Sequence, residues 1–206
     1  MYFKNNEEDY IKTVFSLSEA FGSASENQIS RDLNVSMATV SEYLSKLYEK
    51  KLINKNNRNI TLTETGYKMA VPVILKHRIS EVFAIKMLEV PWEESHMAVM
   101  DIEHTIDDKY FNNFVKHLGN PKTCPHGNPV NCNYITDDRP IRDIENGKHK
   151  INRIVYEDSF LLKQMADLQM LPGTIIEIYR ESDIRIVNQN GEFTLSPALE
   201  LAIRVN

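Results

Sequence analysis

Cysteine is scarce in this chain of 206 residues, with only two present. A disulfide framework is therefore not expected, and the cytoplasm is the expected compartment. No apolar run is long enough to span a bilayer, and the opening MYFKNNEEDY lacks the pattern of a signal peptide, so no membrane association is expected. Internal repeats and low-complexity segments are missing too. So is an overall excess of positive charge: 24 Lys and Arg face 29 Asp and Glu, for a net charge of −5, which by itself argues against nucleic acid as a partner. What is present, 42% hydrophobic and 26% charged residues, is the balance of a soluble globular protein long enough for more than one small domain. The distribution of charge matters more than its sum. Lys46, Lys50, Lys51, Lys55 and Arg58 lie close together with Glu49 as the one acid among them.

The hydrophobic pattern predicts a helix over 7–21, where Tyr10, Ile11, Val14, Phe15 and Leu17 recur at helical spacing. Ser25 with Gln28 three residues on has the form of a capping box opening a second helix. Ser36 is placed to cap a third, in which Val40, Leu44 and Leu47 share a face. Only LNVS separates the second from the third, which is the helix-turn-helix pattern. LINKNNRNITLTETG then reads as strand, polar turn and strand, completing the layout of a winged helix. Further on, helices are expected over 67–88 with Pro72 near the start, over about 93–107, and over about 108–118 ending at Gly119. The Pro- and Asn-rich stretch 120–141 reads as a loop and a boundary. From about residue 148, alternating strands and the turn signal QNGE predict a small all-β barrel.

The third helix presents Ser36, Ala38, Thr39 and Ser41 near its start, short side chains that suit a major groove, with Ala38 able to meet a thymine methyl. Lys46 and Arg58 stand where a phosphate backbone could pass. The exposed start carries no Arg, Asn or Gln, so strong bidentate base readout is missing. Many helix-turn-helix pairs only pack, and that alternative stays open on these residues alone. In HMAVMDIEHTI, residues 96–106, a helix would put His96, Met100, Glu103 and His104 on one broad face. His77 and Glu81 form a second pair four residues apart. Imidazole, carboxylate and thioether together suit a divalent transition metal. The same residues also fit a polar stripe on an ordinary helix.

The order EEDYI, SMATVSEYLSKL, basic wing, KHRISE, HMAVMDIEH, CPHGNP and terminal β module resembles the diphtheria toxin repressor family over essentially the full length. The resemblance implies a mainly α protein with small β parts: a winged helix-turn-helix domain (1–70), a helical dimerisation and metal-binding domain (71–140), and an SH3-like domain (148–206). It implies a homodimer that binds a double-stranded DNA operator when a divalent metal is present and represses metal-uptake genes. By position, the primary metal site would be Asp9, Met100, Glu103 and His104. The ancillary site would be His77, Glu81 and His96, completed by the C-terminal domain, with Glu157 and Asp158 the nearest candidates.

Relative to the family this chain is a hybrid. It has a hard oxygen at Asp9, as in the manganese regulators, but a soft sulfur at Met100, and Lys12 cannot act as the extra manganese ligand. The thioether and the third domain favour Fe²⁺ over Mn²⁺. Since Asp9 precedes the recognition helix and the other ligands follow the wing, a bound metal would tie two domains at one angle. Cys124, His126 and Cys132 could take part in a metal site, but C-x-H-x₅-C is not a standard zinc spacing, and a Pro/Gly-fixed turn is the expected role. Two rival readings are a winged-helix regulator of a non-metal ligand and a metal-dependent enzyme. The enzyme reading lacks a motif such as H-E-x-x-H, so no catalysis is expected.

Overall fold

The computed structural model describes residues 7–131 and 137–206. The chain forms two compact units, Met1–Lys76 and His77–Asn206. Among the described residues, no helix is long and apolar enough to cross a membrane.

The first unit begins with α1 (Glu7–Phe21), α2 (Glu26–Leu33) and α3 (Met37–Glu49). Their starts and stops follow local chemistry. Ser25 and Gln28 form the expected capping box, and the Ser36 hydroxyl accepts from Thr39 N at 3.1 Å. Asn34 ends α2 in the left-handed conformation, at φ 52°, which leaves a tight link to α3. The apolar faces of these helices converge: Tyr10, Ile11, Val14, Leu17, Ile29, Val40, Leu44 and Leu47 are fully buried. Tyr10 and Tyr43 stack at 4.5 Å.

The wing is β1 (Ile53–Asn56) paired antiparallel with β2 (Asn59–Leu62). Its turn is shorter than the expected NKNNRN, because Asn57 adopts a positive φ and closes the hairpin with Arg58. Reciprocal backbone hydrogen bonds between Ala24 and Ile60 tie this hairpin to the α1–α2 connection.

Helix α4 (Glu64–Leu88) starts earlier than the expected 67. The Thr63 hydroxyl accepts from Gly66 N at 3.1 Å and donates to Lys51 O at 2.7 Å, capping the helix against the wing. Pro72 therefore lies inside the helix rather than near its start. Gly66 is required by close approach: a Cβ there would lie 2.0 Å from Leu52 O.

In the second unit, the rest of α4 packs against α6 (Asp108–His117) through Ile79, Val82 and Leu118, flanked by Phe83, Ile106, Phe111 and Phe114. The helix expected over 93–107 does not form. Instead the chain makes a 3₁₀ turn (Trp92–Glu94), a single α-turn, α5 (Ser95–Ala98), and a second 3₁₀ turn (Ile102–Thr105). The break falls at buried Val99, whose carbonyl is shared by Ile102 N and Glu103 N.

The C-terminal portion is a six-stranded sheet in the order β3-β8-β4-β5-β6-β7. The strands are β3 (Arg139–Pro140), β4 (Gly147–Ile154), β5 (Ile175–Arg180), β6 (Ile184–Asn188), β7 (Gly191–Leu195) and β8 (Ile203–Val205). All neighbours are antiparallel, and the QNGE hairpin closes with Asn188 opposite Gly191. The portion is not all-β, however. SFLLKQMAD forms α7 (Ser159–Asp167), which buries Leu161, Leu162 and Met165 on the sheet. LELA forms α8 (Leu199–Ala202) before β8, where a strand was expected. In both, apolar residues recur at three or four positions and contact a core on one side only, which suits a helix.

Gly66→Ala is expected to lower the unfolding free energy by about 1–3 kcal/mol through overpacking against Leu52 O. Urea unfolding of the variant, set against wild type, reads this directly.

Candidate metal centre

Helix α4 carries His77 and Glu81 one turn apart, and both are buried. Their surroundings come from three other segments. The α5 turn supplies His96, the chain after β4 supplies Glu157, and the CPHGNP loop supplies Cys124 and His126. His77 Nε2 lies 2.9 Å from His96 Nδ1 and 3.2 Å from Glu81 Oε1. His96 Nδ1 contacts Glu157 Oε2 directly. His126 Nδ1 lies 3.3 Å from Glu81 Oε1 and 3.5 Å from Glu157 Oε1. Two overlapping donor sets result, His77–Glu81–His96–Glu157 and Glu81–Cys124–His126–Glu157, sharing both carboxylates.

This packing has an electrostatic cost. Burial pushes the Glu81 carboxyl up, as does the neighbouring Glu157 carboxylate, but the His126 and His77 imidazoles outweigh both and hold it well below the usual carboxylate range. Burial acts on Glu157 in the same sense, and the His126 and His96 imidazoles reverse it. Burial opposes charge on His126, but Glu81 and Glu157 raise it well above the ordinary imidazole value. Burial and the Glu81 carboxylate push the Cys124 thiol up to about 12.

Hydrogen bonding is incomplete. Neither oxygen of Glu81 accepts a hydrogen bond, nor does His126 Nδ1 make one, although the ring nitrogens come within ion-pair distance. Buried polar atoms normally find partners. A convergent donor set in which the Glu81 oxygens and His126 Nδ1 lack hydrogen bonds, with mixed nitrogen, oxygen and sulfur chemistry, fits a divalent transition metal.

The cluster is held from outside. His126 Nε2 donates to Trp92 O at 3.2 Å. A carbonyl can only accept, so Nε2 keeps its proton and Nδ1 is the nitrogen facing the carboxylates. The single tryptophan, Trp92, flanks the His126 ring at 4.8 Å and donates through Nε1 to Pro125 O. Asn128 donates to Ile154 O at 2.6 Å and to Glu157 Oε1 at 2.8 Å, which aims Glu157. Arg78 donates to Pro129 O. Gly127, at φ +86°, lets the loop lie on β4, since a Cβ there would meet Asn152 O at 2.3 Å. Hence CPHGNP is more than a fixed turn. It carries Cys124 and His126 into the cluster, a role that its C-x-H spacing did not signal. Cys132 lies outside the described residues.

A second pair lies beside the first cluster. Buried Glu103 accepts from His77 Nδ1, and His104 Nε2 sits 3.4 Å from Glu103 Oε1. The broken helix separates His96 from Glu103 and His104, so the three do not share a stripe as a continuous helix would require. Met100, between the two turns, is half-buried. Asp9 is buried on α1 of the first unit. Asp158 does not join the cluster with Glu157; its carboxylate caps α7, accepting from Leu161 N at 3.0 Å.

On the first unit, Ser36, Ala38, Ser41, Lys46 and Arg58 are exposed and Thr39 is half-buried. The Ser36 and Thr39 hydroxyls bond each other at 2.8 Å.

The model of the iron-dependent repressor N-terminal DNA-binding domain matches residues 2–58, and that of its metal-binding and dimerisation domain matches residues 63–131, together well over half of the chain. The chain belongs to the iron-dependent repressor family. Among its relatives, the iron-dependent repressor IdeR of Mycobacterium tuberculosis is 33% identical over 124 residues, covering 60% of this chain and 54% of the relative. This match spans about half the length of that repressor. The diphtheria toxin repressor of Corynebacterium jeikeium is 25% identical over 228 residues, covering 96% of this chain and 95% of the relative. The crystal structure of T. acidophilum IdeR superposes with a TM-score of 0.90 at 26% identity, over 99% of both chains.

Asn128→Ala is expected to destabilise the protein by about 1–3 kcal/mol, because Ile154 O and Glu157 lose a buried donor. Asp158→Ala should cost about 1 kcal/mol as a lost cap and leave Co²⁺ uptake unchanged. Thermal unfolding and calorimetric metal titration separate the two.

Proposed function

We propose that this chain is a cytoplasmic, divalent-metal-dependent transcriptional repressor that binds a double-stranded DNA operator as a homodimer and represses metal-uptake genes. The observation that carries the reading is the buried, incompletely satisfied His/Glu cluster in a chain of the iron-dependent repressor family. His77, Glu81 and His96 with Glu157 form the ancillary site, and His126 and Cys124 extend it. Asp9, Met100, Glu103 and His104 form the primary site by resemblance. Fe²⁺ is favoured over Mn²⁺ because Met100 offers a soft thioether. A bound divalent ion would supply positive charge to the Glu81 and Glu157 carboxylates.

The chain's own residues do the rest. Asp9 belongs to the first unit, while Met100, Glu103 and His104 belong to the second. A ligand set drawn from both favours one arrangement of the two and shifts the population toward it. By linkage, DNA binding must tighten metal binding equally. His77 contributes twice, facing the ancillary cluster through Nε2 and Glu103 through Nδ1. On the DNA side, Ser36, Ala38, Thr39 and Ser41 would face the major groove, with Lys46 and Arg58 toward phosphates. Exposed Met87, Leu88 and Tyr110, on α4 and α6, supply an apolar surface for a second copy. Neither rival reading, a regulator of a non-metal ligand or a metal-dependent enzyme, draws on an observation of its own.

The test is fluorescence anisotropy on a palindromic promoter fragment with Fe²⁺, Mn²⁺, Co²⁺ or chelator. Wild type should bind only with metal, and at a lower concentration of Fe²⁺ than of Mn²⁺. Asp9→Ala and His104→Ala should each abolish the metal-dependent binding while light scattering still finds dimers. Wild-type affinity that ignores metal would overturn the function; unchanged metal dependence in both variants would overturn the ligand assignment.

A further inference from the structure

In the sequence, residues 46–58 carry five cations with one acid among them. In the fold, acids from outside that stretch reach three of them. Lys46 Nζ donates to Glu42 Oε1 at 2.7 Å, one turn back on α3. Lys50 pairs with Glu7 at the start of α1. Lys55 Nζ donates to Glu26 Oε1 at 2.6 Å, at the start of α2. Lys51 and Arg58 make no ion pair among the described residues. Residues 1–76 hold ten Lys and Arg against nine Asp and Glu, a net charge of +1, which is small for a DNA-binding unit.

These pairs are exposed, with Lys46 and Glu42 at 49% and 66%, so they contribute little to folding. Their effect on DNA is larger. A phosphate that takes Lys46 or Lys55 must displace a carboxylate, which stays close by as a like charge and recruits a cation from solution. Less counterion is then released per contact, and counterion release drives sequence-independent binding.

We propose that Glu26 and Glu42, together with Glu7, are specificity determinants that compete with phosphate for Lys55, Lys46 and Lys50. They hold sequence-independent DNA affinity low, so that occupancy depends on base contacts and on correctly set, paired protomers. The proposal rests on the DNA-binding reading above.

The test uses the full-length protein and a random-sequence duplex, with affinity measured by anisotropy at about 50–200 mM KCl. Glu7 is left unchanged because it lies two residues from Asp9. The Glu26→Gln/Glu42→Gln variant should bind at least about fivefold tighter than wild type, with a log–log salt slope steeper by about one per pair removed. A control with the same change of net charge, Glu181→Gln/Asp183→Asn in the C-terminal portion, should match wild type. Glu42→Gln alone, on the exposed face of α3, should show about half the change in slope and covers the case in which the double variant is misfolded. Equal affinity and slope in wild type and both variants would overturn the proposal, as would an equal shift in the control. If neither wild type nor variant binds any duplex at low salt with saturating metal, the DNA-binding reading falls and takes this proposal with it.

Discussion

Two carboxylates, buried Glu81 and half-buried Glu157, lie side by side, and much of the second unit is arranged around them. Like charges placed together in a low-dielectric interior repel and lose hydration, so they persist only where positive charge converges on them. The imidazoles of His77, His96 and His126 converge on them from three separate segments. Two of them are positioned in turn: His77 by Glu103, and His126 by Trp92. Glu157 is aimed by Asn128, whose amide also holds Ile154 O. Donors of this mixed kind suit a divalent cation.

The same constraint explains why the helical region and the C-terminal sheet form one unit. The CPHGNP loop lies on β4 through the Ile154 N–His126 O hydrogen bond and the close approach at Gly127. Glu157 follows directly from that strand. The loop and the strand end therefore deliver donor side chains to α4 from the far part of the chain. What reads in the sequence as a linker is a structural clamp, and the C-terminal portion adds Glu157 to the His/Glu cluster.

Charge is handled differently in the first unit. There the ion pairs are exposed and their partners come from the starts of α1 and α2 and from α3 itself. In both units, charged side chains are already held by partners from other segments.

The sequence by itself determined what depends on neighbours within a turn or two. The Ser25–Gln28 capping box, the Ser36 cap, the apolar faces of α1 and α3, the short α2–α3 link and the QNGE hairpin all form as read, because caps, periodicity and turn chemistry are local. His77, Glu81 and His96 were legible as candidate donors for the same reason, through spacing on one helix and one following turn. Tertiary structure decided the rest. It broke 93–107 at Val99, so that His96 and Glu103 serve different clusters. It chose Glu157 over Asp158, because Asp158 was needed to cap α7, and it brought Cys124 and His126 to Glu81. It also set Glu26 and Glu7 on lysines far away in sequence. Each of these outcomes depends on chain segments meeting across long loops, and burial of a charge is settled only when every segment around it is in place.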